Sequence, residues 1–214
     1  VSSGTPGQTP PQGFNQADAI VAIAQVQKYY DQTRDFKAAF TQVYSKAYHG
    51  AEKPRYGYLW VKKPGLMKWD YTSPQKKLLV CDGAKIWIYD PGYKQVFWSL
   101  LQNSAVPSAV SFLWGKGNLT GEFWVKIVVG SKFQKPNTKV IWLEPKQPTG
   151  SFKYLLCGVD VRTNMVVETH VYDHLGNKNQ YTFSKPQTNT SPLDSLFKFT
   201  PPAGVRVIQG TPNP

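Results

Sequence analysis

The sequence predicts a mainly β fold, in which an antiparallel meander of short strands curves into a barrel. Three observations predict it. Turn signals divide residues 57–98 into five short apolar segments, polar and apolar side chains alternate along them, and the chain holds 11 Phe, 12 Tyr and 7 Trp among 214 residues. All-β folds of this length commonly build one sizeable core, so we expect a single domain.

The turns are the most specific of these signals. Pro64-Gly65, Ser73-Pro74, Asp82-Gly83 and Asp90-Pro91-Gly92 interrupt the run. Proline fixes φ and glycine tolerates positive φ, and tight reversals require both properties. The five segments are therefore predicted to pair with their neighbours as antiparallel strands.

Alternation along the second of these strands assigns its two faces, because successive side chains of a strand point to opposite sides of the sheet. We expect the face without charges to be the interior one. That face carries Met67, Trp69 and Tyr71, whereas the opposite face carries Leu66, Lys68 and Asp70.

A helix is predicted before the meander, over residues 15–30. Asn15, followed three residues later by Asp18, resembles a helix-capping pair. From Phe36 onward the apolar period changes to two, which predicts the first strand. Within the helix, apolar residues recur at helical spacing, namely Ile20, Ile23, Ala24 and Tyr30.

After the meander, Pro107 and Gly115 bracket a predicted short helix. Strands resume behind it, which brings the predicted total to about a dozen. A barrel of about 11 strands leaves an interior that a helix, a plug or a ligand must occupy, so we hypothesise a ligand cavity. The later strands are predicted at residues 123–129, 138–144, 151–161, 165–173 and 177–184, with a short closing strand at 196–199.

The two ends of the chain are predicted to lie outside the domain. Residues 1–13 are dominated by Pro, Gly, Ser and Thr, and such a segment cannot offset the entropy lost on ordering. We expect a flexible leader over 1–13, one domain over 14–209 and a flexible tail over 210–214. No apolar stretch approaches the ~20 residues of a membrane-spanning helix, and we expect that an export signal has been removed.

The charge of the chain leaves several partners open. The formal net charge is +12 and the sequence pI is about 9.6. Such a balance suits an anionic membrane surface, an acidic partner or nucleic acid, but it is equally typical of a solvated lysine face. No nucleic-acid-binding signature accompanies the charge, so we expect no nucleic-acid partner.

Cys81 and Cys157 leave two alternatives open. They are too few for a disulfide framework, and they lack the spacing of a metal site. They would form a disulfide only if two strands distant in sequence brought their Cα atoms within about 7 Å. Otherwise they are small buried thiols.

No catalytic motif is present. The sequence has three histidines, and it contains no GxSxG, HExxH, phosphate-binding Gly-rich loop or CxxC pattern. The best metal candidate combines Glu168, His170 and His174, but these residues occupy the face opposite Met165, Val167 and Val171. We interpret that face as solvated surface, and we expect no metal, no cofactor and no enzymatic activity.

Three segments carry a specific pattern: the run from Gly57 to Val96, the DHLGN turn at 173–177 before QYTFS, and the ending SPLDSLFKFTPPAGVRVI at 191–208. Together they resemble the periplasmic outer-membrane lipoprotein carrier, the LolA family. The similarity extends over most of residues 30–208. It implies an incomplete β-barrel with helices over its open side and a hydrophobic cavity that takes the acyl chains of a lipoprotein.

The resemblance also implies the partners and the compartment. Such a carrier works as a monomer in the periplasm, accepts cargo from an inner-membrane ABC transporter, and delivers it to the outer membrane, usually through a receptor. The alternatives are a periplasmic sensor of related build for lipoproteins or other amphiphiles, and an outer-membrane receptor of the same fold. A receptor would begin with an acylated cysteine, whereas the chain as given begins with Val1, so the carrier is favoured.

The site residues follow from the resemblance and from the inward faces together. Family members usually carry Arg where this sequence has Lys63, and that basic side chain is associated with latching the lid helices through hydrogen bonds. Lysine keeps the charge but loses the planar fork of arginine, so Lys63 is a latch candidate of altered shape. The predicted acyl-binding residues are Phe40, Leu59, Val61, Met67, Trp69, Tyr71 and Leu79, with Val110, Leu113 and Trp114 as lid.

Overall fold

A computed structural model of the protein describes residues 9–101 and 118–210. The predicted helix at 107–114 and the lid residues Val110, Leu113 and Trp114 lie outside these ranges. In the described residues, no helix combines the length and the apolar character needed to cross a membrane.

The described elements are two α-helices, one 3-10 helix and thirteen strands. The helices are α1 (Ala17–Asp31), α2 (Leu119–Glu122) and the 3-10 helix (Asp194–Phe197). The strands are β1 (Asp35–Lys46), β2 (Gly50–Ala51), β3 (Arg55–Lys62), β4 (Leu66–Ser73), β5 (Lys77–Asp82), β6 (Lys85–Asp90), β7 (Gln95–Leu100), β8 (Phe123–Val128), β9 (Thr138–Pro145), β10 (Tyr154–Asp160), β11 (Val166–Tyr172), β12 (Lys178–Thr188) and β13 (Arg206–Gln209).

The strands form one open sheet rather than a closed barrel. Their order is β13-β7-β6-β5-β4-β3-β1-β12-β11-β10-β9-β8, with β2 paired only to β1. Each turn-bounded segment of the predicted meander is one strand from β3 to β7, and neighbouring strands pair antiparallel. The predicted mainly β, incomplete antiparallel barrel is confirmed, with thirteen strands in the described residues where about 11 or 12 were predicted.

The predicted closing strand at 196–199 is wrong. Its residues overlap the 3-10 helix, where Phe197 is fully buried against β4 and β5. Lys62 fixes the start of this helix, since its Nζ donates to Pro192 O at 2.8 Å and pairs with Asp194 at 2.6 Å. The last strand is instead β13, which pairs parallel to β7 after a proline pair at 201–202 that interrupts regular structure.

The predicted cap of the first helix is also wrong. Gln16 occupies the capping position without a side-chain hydrogen bond, and Asn15 has a left-handed φ of 54°. Asn15 instead pairs with the edge of β8: its N–H donates to Val125 O at 2.7 Å, and its Oδ1 accepts from Val125 N at 3.0 Å. A short amide side chain suits both roles, because asparagine tolerates φ > 0 and can imitate a neighbouring strand.

Helix α1 packs its apolar face on one side of the sheet, which we call the inner face. The helix contacts β8 and α2, and Ile23 and Tyr30 are each 1% exposed. Ala24, which the helical spacing places in the apolar stripe, is exposed. The buried stripe of the helix instead passes through Ala22, Ile23 and Val26. The buried residues of α1 are Ala19, Ala22, Ile23, Val26 and Tyr30.

The two cysteines are buried free thiols on the inner face, so the second of the two open alternatives holds in this structure. Cys81 lies on β5 and Cys157 on β10, six strands apart on either side of β1 in the sheet order. Burial raises the pKa of the Cys157 thiol to about 12, which keeps it protonated and unreactive.

Candidate functional site

The inner face is apolar across most of its width. Strand registers place the predicted inward residues in cross-strand rows, for example Ala38, Leu59, Trp69 and Leu79 on four successive strands. An extended apolar surface of this kind would be unstable in water. Helix α1 covers part of it, and its strand side chains bury one another by packing together.

Five of the seven predicted acyl-binding residues lie within the packed core of this structure. None of the five exceeds 2% exposure, so no ligand reaches them unless the elements covering the inner face move. Their role in binding acyl chains stays a prediction. The five are Phe40, Leu59, Val61, Met67 and Trp69.

The other two predicted residues, Tyr71 and Leu79, are only partly buried on the same face. Leu79 lies beside Trp69 on one neighbouring strand and beside Ile88 on the other. Ile88 is partly buried as well. These three residues form a partly covered strip along β4, β5 and β6 of the apolar inner face.

An aromatic cluster occupies the centre of the inner face. The Phe40 ring packs edge-on against the rings of Trp69 and Tyr71, at centroid distances of 4.8 and 5.0 Å. Tyr181 of β12 completes the cluster, 5.2 Å from Trp69. Tyr181 is not among the predicted site residues. Its position two residues before Phe183 in the QYTFS segment would have placed both rings on the inner face.

Lys63 contacts helix α1, whereas the lid residues that it was predicted to latch lie outside the described ranges. Its Nζ donates to the backbone oxygen of Tyr30 in the last turn of α1. Burial lowers the pKa of Lys63 below its usual value, and the nearby Asp31 carboxylate opposes that shift. Lys63 is thus in contact with the helix that covers the inner face, whereas a function in gating stays a prediction.

Helix α1 is also fixed by its last tyrosine. The hydroxyl of Tyr30 accepts a hydrogen bond from Val166 N at 3.0 Å, and burial raises the pKa of this phenol well above its ordinary value. The end of α1 is therefore tied to β11 on one side and to the β3–β4 turn on the other.

The interpretation of Glu168 and His170 as solvated surface is wrong. Glu168 is 3% exposed and His170 is 1% exposed. The loop between β8 and β9 covers them on the outer face of the sheet, with the Phe133 ring 4.3 Å from the His170 ring. Alternation identified the face correctly, but a strand pattern does not reveal that a distant loop covers it.

Under this loop Glu168 is a well-partnered carboxylate. His170 Nε2 and Gln180 Nε2 each donate to its Oε1 at 2.7 Å, and Lys135 forms an ion pair with its Oε2. His174 lies elsewhere, with its Nε2 2.7 Å from Thr149 O. Within the described residues, no three His, Cys, Asp or Glu side chains are placed to hold a metal ion.

The partners of Glu168 predict that part of the stability of the fold is lost at acid pH. Burial alone would raise the pKa of Glu168, but the hydrogen bonds and charges of His170 and Lys135 outweigh it and hold the pKa below 4.5. A carboxyl with a lowered folded-state pKa stabilises the fold above its unfolded-state pKa, and that contribution is lost as pH falls through the folded-state value.

We therefore expect Glu168→Gln to lower the free energy of unfolding at pH 7 by about 2 kcal/mol, the scale of a hydrogen bond to a charged group. The difference from the parent should shrink below pH 4.5. Denaturant unfolding from pH 7 to pH 3 measures it. Glu144→Gln, a change at a half-buried glutamate of β9, is the control and should follow the parent. A constant offset for Glu168→Gln at every pH would contradict the prediction.

These features together define a class of protein: an open antiparallel half-barrel with a helix against an apolar inner face. A family model described as "Outer membrane lipoprotein carrier protein LolA" matches residues 31–200. The chain therefore belongs to the LolA family, which confirms the resemblance found in the sequence.

Similarity to curated proteins extends over nearly the whole chain. It is 31% identical over 197 residues to the outer-membrane lipoprotein carrier protein of Serratia proteamaculans, covering 90% of this chain and 91% of that protein. It is 28% identical over 199 residues to the protein of the same name from Methylococcus capsulatus, covering 92% of each.

Solved structures share the fold at low sequence identity. An uncharacterized conserved protein from Thermus thermophilus superposes with a TM-score of 0.56 at 10% identity, covering 91% of this chain and all of that one. At this identity the likeness shows the fold alone.

Proposed function

We propose that this chain is a periplasmic carrier that holds the acyl chains of lipoproteins against its inner face. It would receive them from an inner-membrane ABC transporter and release them at the outer membrane, directly or to a receptor. The observation that carries the proposal is the largely apolar inner face, in a member of a family named for lipoprotein carriage.

The energetics favour a binding face of this type. Each acyl CH₂ removed from water contributes about 0.8 kcal/mol, so two or three chains require a large apolar surface to cross an aqueous compartment. The same residues that would bind the chains now pack on one another. Loading therefore exchanges one set of apolar contacts for another, and hand-off needs no reaction at the carrier.

Loading would begin at the partly covered strip. Tyr71, Leu79 and Ile88 are already accessible in part, whereas Phe40 and Met67 are not. We propose that the covering helix α1 moves away as the chains advance toward the aromatic cluster. The contact of Lys63 with Tyr30 would then set the balance between the closed, empty state and the open, loaded one.

Native mass spectrometry of the full chain tests the proposal. We expect added triacylated lipopeptide to give a one-to-one complex that survives desolvation, and we expect freshly purified protein to retain some lipid. The matched control is the same peptide without acyl chains, which should not bind. A chain that is purified without lipid and also ignores added lipopeptide would contradict a carrier.

A further inference from the structure

A row of polar side chains crosses the otherwise apolar inner face. Thr169 on β11 lies opposite Tyr181 on β12, and Tyr181 lies opposite Gln42 on β1. All three are buried, with exposures of 0%, 5% and 6%. We call Thr169, Tyr181 and Gln42 the polar row. Toward β8 the same row continues with apolar side chains, namely Cys157, Ile141 and Ile127.

The phenol at the centre of the row is well partnered. Gln42 Nε2 donates to the Tyr181 hydroxyl at 2.9 Å, Asn179 Nδ2 donates to it at 3.2 Å, and Tyr71 is hydrogen-bonded to it. Gln42 Nε2 also donates to Asn179 Oδ1 at 2.9 Å. This network fixes the amide of Gln42, with its nitrogen turned toward Tyr181 and Asn179.

One polar atom at each end of the row lacks a partner. Gln42 Oε1 and Thr169 Oγ1 are both buried, and within residues 9–101 and 118–210 neither has a hydrogen-bond partner. An unpaired buried polar atom is unfavourable, so each one in a native structure calls for an explanation, of which binding a ligand is one. Here two such atoms lie in one cross-strand row, on the face proposed to bind cargo.

The surroundings of the row define what it can bind. Phe40 and Phe183, the next inward residues along β1 and β12, form an apolar row on one side of it. Tyr44 and Asn179 form a more polar row on the other side. A ligand lying here would place hydrocarbon beside the phenylalanines and a hydrogen-bonding group at the polar row.

The separation of the two strands that carry the unpaired atoms suits a branched lipid linkage. β11 and β1 flank β12, so the backbones carrying Thr169 and Gln42 are about 10 Å apart, twice the strand spacing. An N-acylated, diacylglyceryl cysteine carries an amide and two esters within a comparable span. The threonine hydroxyl can donate to an ester carbonyl, and the glutamine oxygen can accept from the amide N–H.

We propose that the polar row is a hydrogen-bonding subsite for the ester and amide linkages that join the acyl chains to the cargo's terminal cysteine. This inference rests on the proposed carrier function. It adds that the inner face distinguishes linked acyl chains from plain hydrocarbon, with Thr169 and Gln42 as the distinguishing residues.

The test compares two probes on the full-length chain. One is a synthetic peptide with a triacylated N-terminal cysteine. The other replaces the two esters by ethers and the N-acyl group by an all-carbon chain of the same length, so that it lacks both the carbonyl groups and the amide N–H. We expect Thr169→Val and Gln42→Leu each to weaken binding of the acylated probe by about threefold to tenfold, the scale of one hydrogen bond. Binding of the alkyl probe should not change.

The melting temperature separates a binding role from a structural one. Thr169→Val removes an unpaired hydroxyl, so the empty variant should melt at the parent temperature or higher. Gln42→Leu also removes partners of Tyr181 and Asn179, so Thr169→Val is the cleaner variant. Thr182→Val, on the outer face of β12, is the matched control and should bind both probes as the parent does.

The outcomes distinguish the subsite from the carrier function. If the parent binds both probes and Thr169→Val and Gln42→Leu bind them unchanged, the subsite is refuted and the carrier function stands. If Thr169→Val lowers the affinity for both probes equally, the residue affects the shape of the face and does not recognise the linkage. That result also refutes the subsite. If the parent binds neither probe, the proposed carrier function fails and the subsite fails with it.

Discussion

Leu79→Glu is expected to abolish loading of acyl cargo and to leave a folded protein. Leu79 lies on the partly covered strip of the inner face, so its replacement can stay hydrated in the empty state. A carboxylate covered by hydrocarbon costs several kcal/mol unless it becomes neutral. We therefore expect the affinity for a triacylated peptide to fall about 100-fold or more, as measured by lipopeptide titration at pH 7.

The neighbouring leucine supplies a matched control. Leu78 has the same side chain on the same strand and is also partly buried, but it faces the outer side, opposite Tyr89. Leu78→Glu should bind lipopeptide like the parent. Equal loss in both variants would mean that the effect arises from stability, and no loss in either would remove β5 from the binding face.

Met67→Glu tests the deeper part of the same face. Met67 is 0% exposed within the apolar core, and its sulfur lies 3.1 Å from Trp69 Nε1, so a carboxylate there would be buried among apolar side chains. Loss of loading in Met67→Glu would therefore be confounded with loss of stability. The partly exposed position of Leu79 gives the sharper experiment.

The strands of the meander and the face of each residue could be predicted because both depend on local signals. The turn residues near Pro64 and Asp90 mark where strands end, and a period of two assigns Met67 and Trp69 to the interior without knowledge of their partners. The buried state of Phe40 and Leu59 follows from the same rule.

The errors share one physical cause, which is contact between residues distant in the sequence. Two such contacts are the parallel pairing of Arg206–Gln209 with β7 and the pairing of Asn15 with Val125. Neither contact produces a periodic pattern of apolar residues in the sequence. Glu168 and His170 alternate like surface residues, yet a loop more than thirty residues upstream covers them. The sequence also could not show that Gln42 and Thr169, 127 positions apart, would meet in one row.

The candidate site was predicted less completely than the fold. Its apolar part follows from alternation, since Leu59, Val61 and Leu79 all lie on the predicted face. Its polar part required the register between β11, β12 and β1, because Thr169 and Gln42 become one feature only when Tyr181 lies between them. Registers between strands that are not joined by a short turn cannot be derived from a single sequence.

Lys63→Leu is expected to bind lipopeptide but to retain it when an acceptor is offered. The variant loses the hydrogen bond from the Lys63 ammonium to Tyr30 O, which in the proposed mechanism favours the closed position of α1. A hydrogen bond from a charged group contributes about 1.5 to 3 kcal/mol, which shifts a two-state equilibrium by roughly one to two decades. Because the proposed mechanism has α1 return during release, the loss should slow transfer by a similar factor.

Lys63→Arg is the matched variant, since it keeps the positive charge and restores a bidentate donor at the same position. We expect it to release lipopeptide at least as fast as the parent. The measurement is the rate at which a fluorescent triacylated peptide, preloaded on the protein, passes to excess acceptor vesicles. Loading must be shown to be equal in all three proteins, and Leu79→Glu serves as the protein that cannot load. Equal transfer rates for the parent, the leucine variant and the arginine variant would mean that closing α1 does not depend on Lys63, and that its contact with Tyr30 only stabilises the end of the helix.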